Sequence, residues 1–247
     1  MLIQAALNGS RKRSEHPAVP ITPDELAHSA KQSVAAGAGA IHFHVRSADG
    51  SESLEADDVA TALTAVRAAV PETPIGVSTG AWILQDAQLR HEKISRWTVL
   101  PDFASVNFKE GGAVPLATLL LSRGIEIEAG LSETAGTRLW VASGLAAASC
   151  LRVLLEPFED TKEAALNTLS GIEKLLAASG VKIPRLLHGL NRTAWDLINE
   201  AASRGYDTRV GFEDILTLPD GTSAPGNGAL VSEAVRRMQA IADSASM

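Results

Sequence analysis

The stretch Ala38-Gly39-Ala40-Ile41-His42-Phe43-His44-Val45-Arg46 decides how the rest of the chain is read. A short apolar run ends in two histidines separated by one residue. On a β-strand successive side chains alternate faces, so both imidazoles leave one face while Phe43 and Val45 leave the other. Two nitrogens set side by side are how a chain offers ligands to one metal. Zinc takes such nitrogens together with a carboxylate or thiolate, and a catalytic zinc keeps one position open. The other reading of the pair is two histidines satisfied by backbone carbonyls and carboxylates.

On either side of this stretch, short apolar segments alternate with longer amphipathic ones, the pattern of a parallel sheet with helical crossovers. Strands are predicted at 2–8, 38–45, 74–79, 103–108, 125–130, 150–156, 185–189 and 208–213. Between the strands helical stretches with apolar residues three and four apart are predicted, for example at 24–36, 56–69, 161–178 and 227–242, with the third inside 85–97. Thr22-Pro23-Asp24-Glu25 marks a helix start, Thr22 as cap and Pro23 at the first helical position. Gly37, Gly124 and Gly180 mark helix ends. Eight strands spread over 247 residues, with no break in composition and no linker, indicate one (β/α)8 TIM barrel forming a single domain over 1–247. An open doubly wound sheet is the alternative. Asn8-Gly9-Ser10 lacks the spacing of a dinucleotide fingerprint, and no phosphate-loop motif occurs.

A net charge of −7 argues against nucleic acid as a partner, since phosphate backbones are bound by concentrated basic surface. The basic run Arg11-Lys12-Arg13 reads as a solvated loop or as a contact for small anionic groups. No segment has the length of a membrane span, and the apolar start is too short for a signal peptide. The single cysteine, Cys150, forms no intrachain disulfide and reads as a small core residue in a reducing cytosol, which places the protein in the cytoplasm. An apolar helix surface and the short length point to a homo-oligomer.

In a barrel of this kind chemistry sits at the carboxyl ends of the strands. Those ends carry Asn8, then His42, His44 and Arg46, then Ser78-Thr79-Gly80, then Ser105 and Asn107. Glu126 and Glu128, Glu156, His188, and finally Arg209, Glu213 and Asp214 complete the circuit. Read as strand, 209–213 puts Arg209, Gly211 and Glu213 on one face, so Glu213 points into the mouth with the two histidines. Strand eight closes on strand one, and strand two lies on its other side, which lets Glu213 reach the same metal; a salt bridge to Arg209 is its structural alternative. Asp214 is placed as a general base or as an orienting group, and Arg209 as the cation that favours charged carboxylates. Ser78, Thr79 and Gly80 offer hydroxyls and close backbone approach to a substrate carboxylate, or form a simple turn. Ser105 and Asn107 line the substrate or form a polar layer of the barrel. Glu128 binds a polar substrate group or pairs with Arg152. His188 reads as a satisfied barrel histidine, and Arg192, near the seventh helix start, as a residue suited to an anionic group of a cofactor.

Several of these pieces, in this order, resemble the β-keto acid cleavage enzymes. They are the Gly9 loop leading to His16-Pro17-Ala18-Val19-Pro20-Ile21-Thr22-Pro23, Ala36-Gly37-Ala38, Ile41-His42-Phe43-His44-Val45-Arg46 with Asp49-Gly50, Val77-Ser78-Thr79-Gly80, Ala104-Ser105-Val106-Asn107 and Arg209-Val210-Gly211-Phe212-Glu213-Asp214. The resemblance implies a zinc-containing (β/α)8 barrel with His42, His44 and Glu213 as ligands of Zn2+. It implies acyl exchange between a β-keto acid and acetyl-CoA, giving acetoacetate and a new CoA thioester. By the same resemblance Asp214, supported by Arg209, handles protons, Ser78 and Ser105 hold the substrate carboxylate, and Glu128 lies near the variable end. Three departures stand out. The chain is short for the family, the glycine-rich turn after strand six is replaced by Pro157-Phe158-Glu159-Asp160, and the acidic residue expected after strand one is missing, Glu15 being the nearest. A zinc hydrolase, another metal-dependent C–C lyase and a non-catalytic metal-retaining protein are the alternatives. The hydrolase pattern wants histidines on strands five and six, where this chain has none.

Overall fold

The computed structural model describes residues 1–145 and 150–245. In chain order the elements are β1 (Ile3–Ala6), α1 (Pro23–Ala35), β2 (Ala40–Phe43), α2 (Ala56–Ala69), β3 (Ile75–Ser78), α3 (Ala87–Ser95), β4 (Phe103–Asn107) and α4 (Ala113–Ser122). They continue with β5 (Glu126–Leu131), α5 (Thr134–Ala142), β6 (Cys150–Leu155), α6 (Lys162–Ser179), β7 (Arg185–Leu187), α7 (Ala194–Arg204), β8 (Asp207–Val210) and α8 (Asn227–Ala245). The eight strands pair in sequence order, all parallel, and β8 pairs back onto β1, which closes the barrel. The expected (β/α)8 fold is the one observed.

Local chemistry accounts for these elements. At α1 the Thr22 hydroxyl accepts from Glu25 N at 3.3 Å, and the Glu25 carboxylate accepts from Thr22 N at 3.0 Å. Such a capping box satisfies two amides that helix geometry leaves bare. Pro23 follows at the first helical position, where its missing N–H costs nothing. Leu26, Ser29, Ala30 and Ser33, three and four residues apart, form the buried face.

Along each strand one parity packs under the helices, for example Ile41, Phe43, Val77, Ala104, Val106, Ile127, Ala129, Val153, Leu155 and Val210. The other parity fills the barrel, and much of it is polar: Gln4, His42, Ser78, Ser105, Glu128, Arg152 and Arg209 are all buried. Deep inside, Glu128 Oε1 accepts from Gln4 Nε2 at 2.6 Å and pairs with Arg152 Nε at 2.7 Å. A buried pair of this kind adds little net stability but is costly to break, about 3–5 kcal/mol, because removing one partner strands the other.

Two strand ends differ from expectation. β8 stops at Val210, and 211–214 form a turn in which Asp214 N and Ile215 N both donate to Gly211 O at 2.9 Å. Gly211 is pressed against β1 so tightly that a Cβ would overlap Ala6 O. β2 stops at Phe43, yet the ladder continues through a side chain: His44 N donates to Asn8 Oδ1 at 2.8 Å and Asn8 Nδ2 donates to His44 O at 3.0 Å. Asn8 thus takes the place of a strand neighbour and keeps His44 in the alternation that His42 begins.

Candidate active site

β1 brings the two halves of the site together. Ala6 pairs with His42 on one side, and on the other its carbonyl accepts from Glu213 N at 3.2 Å. Glu213 therefore reaches the histidines through the turn after β8 and not by strand parity, because the backbone has left the pleat at Gly211. Gly9 makes room for it: its φ is +52°, a left-handed value natural to glycine, and a Cβ there would lie 2.9 Å from Glu213 Cβ.

One ligand atom from each of His42, His44 and Glu213 falls within 4.8 Å of the others. His42 Nε2 is 3.6 Å from Glu213 Oε2, and His44 Nε2 is 3.4 Å from Glu213 Oε1. Both separations are long for hydrogen bonds. Each is near the ligand–ligand separation about an ion with bonds of about 2.0–2.2 Å, which is about 3.3–3.6 Å, and because they run to different oxygens both carboxylate oxygens face the ion position. Glu213 Oε2 has no hydrogen-bond partner among the described residues. Two nitrogens and a carboxylate converging with an oxygen left over suit a divalent metal.

The charges are arranged around this cluster. Burial pushes His42 down to about 3, with Arg209 and His44 adding to the effect and Glu213 opposing it. Burial acts on His44 in the same sense, but Glu213 and Glu52 outweigh it and hold His44 up at about 9. Burial would raise Glu213; the Arg209 guanidinium and the two histidines instead keep its carboxyl well below the usual range. Arg209 Nη2 donates to Asp214 Oδ1 at 2.7 Å and to Glu213 Oε1 at 3.0 Å, so the salt-bridge alternative for Glu213 coexists with its place beside the histidines. His188, raised by Asp214 and Glu156 against burial and Arg209, has Nδ1 3.4 Å from Asp214 Oδ1 and Nε2 3.6 Å from Glu156 Oε2.

These residues open onto a cavity of 320 Å³ at the carboxyl ends of the strands. Its lining includes His42, His44, Glu213, Arg209, Ser78, Ser105 and Asn107, as the sequence led one to expect. Five expected site residues lie elsewhere. Asp214 is fully buried behind Arg209. Thr79 donates to Ser105 O at 2.6 Å and ties β3 to β4. Gly80 sits beneath the Trp82 ring. Glu128 is engaged with Gln4 and Arg152 below the cavity, where burial raises its carboxyl despite Arg152 and Arg209. Arg192 is exposed, in a 3₁₀ turn at Asn191–Thr193 ahead of α7.

The cavity also takes residues that sequence reasoning did not assign to the site: Ser10, Trp82, Lys109, Leu154, Phe158 and Leu190, with Glu156 and His188 from the strand-end list. Glu52 was missed as well, although its Oε1 stands 2.5 Å from His44 Nδ1. A signal for it existed in Asp49-Gly50, a reversal that brings Glu52 back beside Arg46 in an antiparallel bridge.

Known proteins bear on this site. The family model described as beta-keto acid cleavage enzyme matches residues 1–245. The 3-keto-5-aminohexanoate cleavage enzyme of Fusobacterium nucleatum is 26% identical over 96% of this chain and 90% of its own length. The 3-oxoadipate:acetyl-CoA acetyltransferase of Cupriavidus necator is 28% identical over 94% of this chain and 86% of its own. Among solved structures, ObcA in ternary complex with a C4-CoA adduct and oxalate superimposes with a TM-score of 0.72 at 19% identity. The superposition covers 91% of this chain and 64% of that one, so this chain spans about two-thirds of ObcA's length; at that identity the likeness speaks to the fold. Because the family match takes in all eight strands and all eight described helices, the chain belongs to the beta-keto acid cleavage enzyme family.

Proposed function

We propose that this protein is a zinc-dependent β-keto acid cleavage enzyme that exchanges acyl groups between a β-keto acid and acetyl-CoA, releasing acetoacetate and a new CoA thioester. The observation that carries the reading is the convergence of His42, His44 and Glu213 at the mouth of one cavity with Ser78, Ser105 and Asn107, in a member of this family. His42, His44 and Glu213 hold the metal, which when bound serves as a Lewis acid toward the β-carbonyl of the keto acid. Two named relatives act at the two ends of this chemistry, one a keto-acid cleavage enzyme and one an acetyl-CoA acetyltransferase.

The residues of the chain do the rest. Ser78 and Ser105 donate to the substrate carboxylate from adjacent strands, and Asn107 lies beside them. By way of His188, which lines the cavity with Nδ1 3.4 Å from Asp214 Oδ1, the proton on the carbon between the two carbonyls passes to Asp214 behind the cavity wall. Asp214 Oδ1 is held by Arg209, while Oδ2 has no partner among the described residues. The resulting carbanion attacks the acetyl carbonyl and the CoA thiolate leaves. That thiolate then attacks the original β-carbonyl, the C–C bond breaks to give the acyl-CoA, and the proton returns to the departing acetoacetate carbon. Atoms and charge balance, and the base ends as it began. Arg209, buried and held protonated by Asp214 and Glu213, keeps both carboxylates in place through the cycle.

The single cysteine suits a reducing compartment such as the cytoplasm, and no described helix is long and apolar enough to cross a membrane. Exposed Leu89 and Leu139 on α3 and α5 supply apolar contact for a homo-oligomer, which sedimentation velocity measures directly.

The test joins metal content to turnover. Purified wild type should carry close to one zinc per chain, and His44→Ala and Glu213→Ala should carry almost none. Acetyl-CoA with a panel of β-keto acids should yield acetoacetate and a new thioester, both read by mass spectrometry. Unchanged zinc in the variants removes the ligand assignment. Zinc with turnover of amides or esters alone makes the protein a hydrolase, and zinc with no turnover at all makes it a binding protein.

A further inference from the structure

His42 and His44 differ at the ring nitrogen turned away from Glu213. His42 Nδ1 is buried with no hydrogen-bond partner among the described residues, whereas His44 Nδ1 meets Glu52 Oε1 at 2.5 Å. That same oxygen accepts from Trp82 Nε1 at 3.1 Å. The Trp82 ring also stacks on His44, centroids 5.8 Å apart and planes 24° from parallel. One tryptophan thus touches one imidazole twice, through its face and through a carboxylate. Both supports are anchored: Glu52 by its antiparallel bridge to Arg46, and Trp82 by lying so close over Gly80 that a Cβ there would overlap the indole.

We propose that Glu52 and Trp82 form a brace that sets the tautomer and orientation of His44, and thereby sets the metal affinity of the site. The inference rests on the metal reading of His42, His44 and Glu213. A carboxylate that accepts from Nδ1–H makes Nε2 the nitrogen that gives up its proton when a metal binds, and a stronger donor toward that metal. Here Nε2 is the atom that faces Glu213. Trp82 then confines the Glu52 carboxylate, which is only 13% exposed, and covers the imidazole on its mouth side. His42 has no such support, so the two imidazoles are unequal ligands, and metal affinity depends on the brace through His44 alone. Glu52 and Trp82 are positioning residues; neither belongs to the cluster that could hold the ion.

The test is Zn2+ affinity of metal-stripped protein, measured by competition with a chromophoric chelator, for wild type, Glu52→Ala, Glu52→Gln and Trp82→Phe. Glu52→Ala should bind zinc about 10- to 100-fold more weakly. Glu52→Gln keeps an acceptor without its charge and should lose less, and Trp82→Phe, which keeps the stack and loses the Nε1 bond, less again. Nitrogen-15 spectra of histidine-labelled, zinc-loaded wild type should show one bound imidazole with a strongly hydrogen-bonded Nδ1–H that weakens in Glu52→Gln. Should Glu52→Ala fail to fold, the near-isosteric Glu52→Gln and Trp82→Phe carry the comparison. Wild-type zinc affinity in the Glu52 variants overturns the brace and leaves the metal site standing; a wild type that takes up no zinc overturns both.

Discussion

Arg209→Met tests the charge arrangement behind the site. Met keeps much of the volume and removes the guanidinium, whose Nη2 is shared between Asp214 Oδ1 at 2.7 Å and Glu213 Oε1 at 3.0 Å. Arg209 is 4% exposed and Asp214 is 0% exposed, so the Asp214 carboxylate loses its cation in a buried setting. Breaking a buried pair from one side costs about 3–5 kcal/mol, most of it the penalty of a charge left buried. For a chain of this length about 2–4 °C of Tm accompanies each kcal/mol, which gives a fall of roughly 6–20 °C. The assay is thermal and urea unfolding of metal-stripped protein, so that ligand binding does not add its own stabilisation. If the penalty is the stranded carboxylate, adding Asp214→Asn should return part of the loss, and the double variant should be more stable than Arg209→Met alone. A loss below about 1 kcal/mol, or a double variant in which the two losses simply add, refutes the reasoning.

Metal-stripped protein should be most stable near pH 6.5. Below it the unfolded chain protonates His42 while the folded chain, with His42 at about 3, does not, so stability falls with falling pH by up to about 1.4 kcal/mol per pH unit. Above it folded His44, at about 9, keeps a proton that the unfolded chain has shed, so stability falls with rising pH; His44→Gln should flatten this alkaline limb in urea titrations. Gly9→Ala forces a side chain into a left-handed conformation against Glu213, and should cost about 1–3 kcal/mol as well as weaken zinc uptake in the chelator assay. Ser78→Ala and Ser105→Ala each remove a donor to a charged carboxylate, worth about 1.5–3 kcal/mol, so kcat/KM for the keto acid should fall about 10- to 150-fold in steady-state kinetics. Unchanged kcat/KM in both serine variants would move the carboxylate elsewhere in the cavity.

Much of the site was legible because barrel strands write their faces in alternate residues. Ser78, Ser105 and His42 share the inward parity and do line the cavity. Parity gives a face but not a depth, and strands in a barrel are tilted. Glu128 has the same parity and sits below the cavity floor, consumed by Gln4 and Arg152. Asp214 was placed beside the site by its neighbour Glu213, but the turn at Gly211 carries it behind Arg209. Glu52, Trp82, Lys109 and Phe158 come from loops, where no periodicity fixes direction and only the folded path of the backbone brings them to the mouth.

The sequence by itself determined the eight-fold alternation of strand and helix, the helix caps, the shared face of His42 and His44 and the family resemblance, which the match over residues 1–245 bears out. These are local properties: a repeat of two or of three to four, or a cap within one turn, is set by neighbours in the chain. Only the tertiary structure decided which distant groups meet. Glu213 reaches the histidines because closing the barrel puts β8 and β2 on opposite sides of β1 and seats the Glu213 amide on Ala6 O. That contact depends on the tilt and stagger of all eight strands, which no single segment encodes.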